Sequence, residues 1–229
     1  MKKILRERDQ INNRAKFQKA QTDMFVSLLS NNGYEKILDV GCGKGYFSYV
    51  TVKNVPVSNC YGVDIYNDFR QEEIKPFVKK ISYKQLKSKQ FPFPSNLIDL
   101  VFSMDVIEHV EDDYMFLSEQ IRVCKSGGQI IIGTPNYWRL ANILLKLFGK
   151  LHFPRKIGED TYGASIHIRE YSKTDLHRLV LFFEKQIDPR SMTIIPCWYG
   201  ILPLNIGVNS LPSIAHNYCQ FWFVTFIKI

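Results

Sequence analysis

Four short, largely apolar runs stand out in the first 134 residues, EKILDV (35–40), NCYGVDI (59–65), LIDLVFSM (97–104) and QIIIGT (129–134), with a weaker strand candidate at KKISYKQL (79–86). Short apolar runs of this kind read as buried strands. Helical patterns alternate with them. Residues 10–32 carry Ala20, Met24, Phe25, Leu28 and Leu29 at helical spacing, with Gly33 as a stop. Further helices are expected from near Gly45 to just before Pro56, over 69–79 and over 113–124. The prolines of FPFPSN (91–96) forbid a helix there, and SGG (126–128) reads as a tight turn. Strands alternating with helices predict an α/β fold with a mostly parallel sheet between two helical layers.

After Pro135 the rhythm changes. The stretch 136–153 is an apolar and basic helix candidate, and 154–172 reads as loop. A capped helix is expected over 172–183, with Ser172 or Thr174 at its start, and QFWFVTFIKI (220–229) suits a last strand. A chain of 229 residues is long enough for one domain with a sizeable core, and 1–229 is read as one domain.

The first strand runs into Gly41-Cys42-Gly43-Lys44-Gly45, with Asp39 two residues ahead of the first glycine. This G-x-G-x-G is neither the G-x-G-x-x-G of dinucleotide sites nor a P-loop, which would end in G-K-[ST]. An acid aimed into the loop would repel a polyphosphate and favour a cation, while the glycines let a ligand approach the backbone closely; the same acid could instead cap the helix or brace the turn. Asp64 closes the second strand, where an acid can accept from both ribose hydroxyls. A cationic nucleoside satisfies both observations, and S-adenosyl-L-methionine is the common one.

LDVGCGKGYFS, YGVDI, FPFPSNLIDLVFSMDVIEHV and RVCKSGGQIIIGTPN also stand in the order found in class I S-adenosylmethionine-dependent methyltransferases. The chain resembles most the subgroup that includes ubiquinone-biosynthesis O-methyltransferases and small-molecule and surface-glycan methyltransferases. The resemblance is close over 35–136 and looser over HIREYSKTDLHRLV (167–180). It implies a Rossmann-like three-layer sandwich whose seven-stranded sheet is mostly parallel, with strands near 184–195 and 219–228 as an antiparallel edge. It also implies that Asp39, Gly41 and Gly43 hold the methionine end of the cofactor. Asp64 would then bind the ribose, Ile65 pack on the adenine, Met104 offer backbone contacts near the sulfonium, and Asp105 lie near the methionine end or the acceptor. The chain departs from the pattern before FPF, where an acid for the adenine amino group is common and Lys87, Lys89 and Gln90 stand instead. Arg14 is a distant candidate for the cofactor carboxylate.

Composition narrows the remaining classes. The five cysteines form no CxxC and have no histidine at ligand spacing, so free thiols are expected and no metal. Lys2, Lys3, Arg6, Arg8, Arg14, Lys16 and Lys19 face only Glu7 and Asp9, which puts +5 of the net +8 in the first nineteen residues. That is a solvated helix face or a surface for an anionic partner. No secretory h-region is visible at the start, and no apolar run approaches the roughly 18 residues of a membrane span. A cytoplasmic protein is expected, with contact to the inner face of the membrane left open.

Methyl transfer from a sulfonium needs alignment and exclusion of water, plus a base where the acceptor is a hydroxyl. His109, in DVIEHVEDD after the fourth strand, and His167, before the late helix, are the candidate catalytic residues. Either could instead hold structure locally, as Glu108 could by satisfying loop amides. The N/D-P-P-Y/F tetrad of base-amine methyltransferases is missing after the fourth strand, where SMDV stands, which disfavours nucleic acid as a substrate. The expected acceptor is a small molecule, a sugar or a lipid-linked intermediate. The segment 137–168 would be its lid, and IIPCWYGILPL (194–204) could line the same mouth. The helix of that lid would meet lipid or pack into the core; the pattern allows both. A silent binding or scaffold protein stays open as an alternative, and the glycine spacing disfavours an NAD-dependent oxidoreductase.

Overall fold

The computed structural model describes residues 19–67, 81–153, 167–197 and 213–229. The expected helix over 69–79, Arg14 and the rest of the basic start up to residue 18, most of the 154–172 loop, and residues 198–204 lie outside them.

Helices α1 (Lys19–Ser27), α2 (Tyr46–Asn54), α3 (Asp113–Val123), α4 (Leu140–Leu147) and α5 (Lys173–Leu181) surround strands β1 (Tyr34–Val40), β2 (Val57–Asp64), β3 (Ile81–Gln85), β4 (Ile98–Met104), β5 (Cys124–Pro135), β6 (Ile187–Cys197) and β7 (Phe221–Lys228). The seven strands lie in the order β3-β2-β1-β4-β5-β7-β6. All pairings from β3 to β5 are parallel, and β7 runs antiparallel to both β5 and β6. The fold class is the expected one, including the antiparallel edge.

Strand alternation divides the core. Leu38, Val101, Ile130 and Ile132 face one side with α3 and α5, alongside Leu117, Ile121, Leu176 and Val180. Ile37, Leu100, Phe102 and Ile131 face the other, where Phe25 of α1 and Phe47 and Val50 of α2 cover them. At about 25 cal/mol per Å² of apolar surface, two covered faces are what make the β1 and β4 sequences favourable as strands. The order reverses at β1, whose neighbours β2 and β4 leave in opposite directions, and this opens a crevice beyond the carboxyl ends of those strands.

Two local expectations change. SGG is not a turn between elements but loops out inside β5. Ile98 pairs with Cys124 and Leu100 already with Gln129, so the intervening residues bulge from the ladder. A Cβ on Gly128 would come within 2.6 Å of Cys124 Sγ, so the bulge needs glycine there. The helix expected over 136–153 shrinks to Leu140–Leu147. Its start is delayed because Asn136 is held by the carbonyls of Asn217 and Cys219 and bridges to Tyr171, and it stops before Gly149 at φ +67. Ser172 is the cap of α5, in a reciprocal capping box with Asp175. All five cysteines are buried free thiols.

Candidate active site

The crevice is built first by the glycine loop. Gly41, Gly43 and Gly45 all have positive φ, at 73°, 49° and 85°. They differ in what surrounds them. A Cβ on Gly41 would lie 2.3 Å from Val106 Cγ2, whereas one on Gly43 would meet nothing within 4 Å. Gly41 is therefore a packing glycine, and Gly43 faces the open side of the loop. Gly45 precedes the first turn of α2.

Asp64, at the end of β2, closes the loop. Its Oδ2 accepts from Gly43 N at 2.8 Å and its Oδ1 from Tyr66 N at 2.9 Å. A carboxylate has about four acceptor sites, so two donors leave capacity for ribose hydroxyls. The next residue, Ile65, is 60% exposed and offers an apolar face beside it.

Asp39 is placed differently from the sequence expectation of an acid aimed into the loop. It is buried, and its Oδ2 accepts from Ser48 Oγ at 2.6 Å, so it braces the loop from beneath. Burial pushes its carboxyl up to about 7, against the lowering effect of Ser48 and with a smaller contribution from Asp64. Its proximity to the open face runs through the loop rather than past it.

Met104 is buried at the end of β4 against Gly133. Asp105 follows in the left-handed region at φ 56, uncommon for a residue with a side chain. Its amide donates to Gly133 O, and its Oδ2 accepts from Gln21 Nε2 of α1 at 3.1 Å. Gln21 is fully buried and brings α1 onto the crevice. Nothing in the sequence marks it.

Next comes the turn Ile107–His109. The Glu108 side chain is fully buried; Oε2 accepts from Thr134 Oγ1 at 3.0 Å, and Oε1 has no hydrogen-bond partner among the described residues. Its carboxyl takes up the Thr134 hydroxyl. Burial, followed by the charge of Asp105, holds this carboxyl well above the usual carboxylate range. The Glu108 carbonyl accepts from Ile168 N at 3.0 Å, which fixes the 167–171 segment across the turn. That tether brings His109 and His167 together, edge to face, with ring centroids 4.9 Å apart. His167 Nδ1 lies 2.5 Å from Glu170 Oε1.

Glu108, His109 and His167 each offer one ligand atom, all within 4.8 Å of one another. Two imidazoles and a carboxylate form a donor set for a divalent transition metal. The sequence reading expected no metal because it tested only cysteine spacings, and these residues come together only in the fold.

A doubly covered parallel sheet, a glycine loop closed by a strand-end acid, and a polar cluster beyond the next two strands define a Rossmann-like nucleoside-binding protein of the methyltransferase type. Residues 38–132 match the family model described as a methyltransferase domain. A protein of Mycolicibacterium smegmatis named as a probable S-adenosylmethionine-dependent methyltransferase is 29% identical over 144 residues, covering 63% of this chain and 49% of its own. The tocopherol O-methyltransferase of Arabidopsis thaliana is 29% identical over 146 residues, covering 56% and 41%. Among solved structures, the N-methyltransferase NodS of Bradyrhizobium japonicum, in complex with S-adenosyl-L-homocysteine, superposes with a TM-score of 0.60 at 12% identity, covering 93% of this chain and 87% of its own. That likeness is one of fold. Together these likenesses support a class I S-adenosylmethionine-dependent methyltransferase, with the family match confined to residues 38–132. The chain spans less than half the length of the two curated relatives named here.

Proposed function

We propose that the protein transfers a methyl group from S-adenosyl-L-methionine to a hydroxyl of a small molecule, sugar or lipid-linked intermediate. The observation that carries this reading is the pairing of His109 and His167 beyond the carboxyl end of β4, the strand next to the glycine loop's own. The residues present fit that cofactor: Gly43 leaves the loop face open, and Asp64 keeps acceptor capacity for ribose hydroxyls. Gly41, Gly43 and Asp39 serve its methionine end, Asp39 through the loop it braces. Asp64 serves the ribose, Ile65 the adenine, and Met104 and Asp105 the reacting end. When bound, the cofactor supplies a methyl carbon already activated by positive sulfur. The chain's own task is then to align the acceptor oxygen, exclude water and take its proton. One of the two imidazoles takes that proton.

The segment 137–168 serves as the acceptor lid. Within it, Tyr137, Trp138, Ile143, Leu147 and Leu151 line a cavity of about 170 Å³. The sequence left core packing and lipid contact open for this helix. The exposure of Leu144, Leu147 and Phe148, with Lys146 stacked over Trp138, supports a peripheral lipid surface. No helix among the described residues is long and apolar enough to cross a membrane.

A second reading replaces the protein base with a divalent cation held by Glu108, His109 and His167, which would polarise the acceptor oxygen. The buried Glu108 Oε1, which has no hydrogen-bond donor among the described residues and lies 4.0 Å from His109 Nε2, favours it.

Incubating a cell extract with the protein and isotopically labelled methyl donor, followed by mass spectrometry, tests the proposal. A labelled methyl ether is expected, and its yield should fall far more than cofactor binding in His109→Ala or His167→Ala. Label on nitrogen or carbon overturns the hydroxyl reading. Cofactor binding with no product in any fraction favours a binding protein. Activity that survives both substitutions removes the histidines from the chemistry. Loss of activity on chelation, restored by Zn²⁺ or Mn²⁺, selects the cation reading.

A further inference from the structure

Glu170 lies in HIREYSKTDLHRLV, the looser stretch of the family resemblance, which gives it no role, yet it is heavily engaged beside His167. It is buried, with 7% of its surface exposed. Its Oε1 accepts from Arg139 Nη2 at 2.5 Å and faces His167 Nδ1 at the same distance, and its Oε2 accepts from Asn142 Nδ2 at 2.6 Å. Arg139 precedes the first turn of α4 and Asn142 lies within that turn. Asn142 also donates to the Tyr137 carbonyl and accepts from Arg139 Nε, so the network closes on the start of the helix.

We propose that Glu170 is a positioning residue: it holds His167 as the Nδ1–H tautomer, presents Nε2 as the basic atom of the site, and ties that setting to the seating of helix α4. An ionised carboxylate has lone pairs only, so a 2.5 Å contact with a ring nitrogen requires the proton to be on that nitrogen. In the neutral ring the other nitrogen then carries the free pair. Arg139 pairs with the same carboxylate oxygen and offsets its charge in this buried place.

The consequence for methyl transfer rests on the function proposed above. As the acceptor O–H bond breaks, its proton passes to His167 Nε2 while the oxygen forms its bond to the methyl carbon. The carbon–sulfur bond breaks, leaving S-adenosyl-L-homocysteine and a methyl ether. The imidazolium so formed is stabilised by Glu170 and returns its proton to water. Under the cation reading the same tautomer leaves Nε2 for the ion, in the carboxylate–histidine–metal arrangement. Either way α4 and His167 share one carboxylate, so a displaced α4 misdirects the ring.

The test is nitrogen-15 NMR of histidine-labelled full-length protein at a pH where the imidazole is neutral, with His167 assigned by its loss in His167→Gln. The wild type should show Nδ1–H at His167. In Glu170→Leu the ratio of Nδ1–H to Nε2–H should fall about tenfold or more, the scale of a hydrogen bond to a charged group. Should Glu170→Leu fail to fold, Glu170→Gln carries the test with a smaller fall, since an amide oxygen accepts more weakly. Arg139→Gln should move the same ratio in the same direction. A wild type that is mainly Nε2–H, or a ratio unmoved in the folded variant, overturns the proposal. Calorimetry of wild-type protein with S-adenosyl-L-methionine reads the methyltransferase function separately. Failure to bind would remove that function while leaving the tautomer result standing.

Discussion

Asp39→Asn should stabilise the cofactor-free protein at neutral pH and do less at low pH. The carboxyl ordinarily loses its proton near 3.8, and burial pushes it to about 7 in the folded chain. Between those values the folded state keeps a proton that the unfolded chain has already released. Folding therefore takes up a proton, and stability falls as pH rises through that window, levelling off above about 7. A difference of roughly three pH units, at about 1.4 kcal/mol each, sets a ceiling of about 4 kcal/mol. Asparagine has the same shape, can still accept from Ser48, and carries no charge to desolvate. Urea unfolding of both proteins at pH 4.5, 6 and 8, without cofactor, gives the difference directly. It should be about 1 kcal/mol at the lowest pH and grow to between about 2 and 4 kcal/mol at the highest. The variant should also bind S-adenosyl-L-methionine more weakly, because it has lost the negative charge beneath the loop. A difference in stability that stays constant from pH 4.5 to 8 would refute the reasoning, since no proton would then be linked to folding at this residue.

Three further outcomes are expected. Asp64→Ala should weaken cofactor binding by about 1–3 kcal/mol in calorimetry, through the lost ribose acceptor and the released Gly43 amide; unchanged affinity in a folded variant would move the ribose site elsewhere. Gly41→Ala and Gly43→Ala should separate packing from ligand access: the first forces its Cβ into Val106 and should lower thermal stability by about 1–3 kcal/mol. The second costs about 1 kcal/mol of left-handed backbone strain yet loses more in cofactor affinity, and equal effects on stability would contradict the assigned faces. Leu147→Ser with Phe148→Ser should leave urea unfolding within about 0.5 kcal/mol of wild type, since both side chains are exposed, but abolish sedimentation with phosphatidylserine vesicles. Persistent vesicle binding would take the lipid contact away from α4.

The parallel sheet was legible because Ile37-Leu38 of β1 and Leu100-Val101-Phe102 of β4 put apolar side chains on both faces, and helical patterns alternate with the strands to cover them. The glycine loop was legible for a related reason, since a positive φ and a close approach both demand glycine. What the sequence could not show were meetings between distant segments. His109 and His167 each stood out as candidates, but their contact depends on a backbone bond from Ile168 to the Glu108 carbonyl. Gln21 reaches Asp105 from a helix whose pattern reads only as amphipathic. Glu170 lies three residues after His167 in a segment that is not helical, so no periodicity pairs them. For Asp39 the sequence left open an acid turned to the ligand and one that braces the turn, and its burial beside Ser48, which no spacing shows, is what places it under the loop. The length of α4 was overstated because apolar spacing continues past Gly149, where the backbone turns left-handed and the helix has already stopped.

The bond from Gly43 to Asp64 has a kinetic consequence. With its amide already engaged, the loop holds its shape before any nucleoside arrives, and little chain entropy remains to be lost on binding. Association should then proceed at an ordinary encounter rate with no slow ordering step, and variants around the loop should differ mainly in how long the ligand stays. The acid proposed to take the ribose thus also shapes the loop beside it.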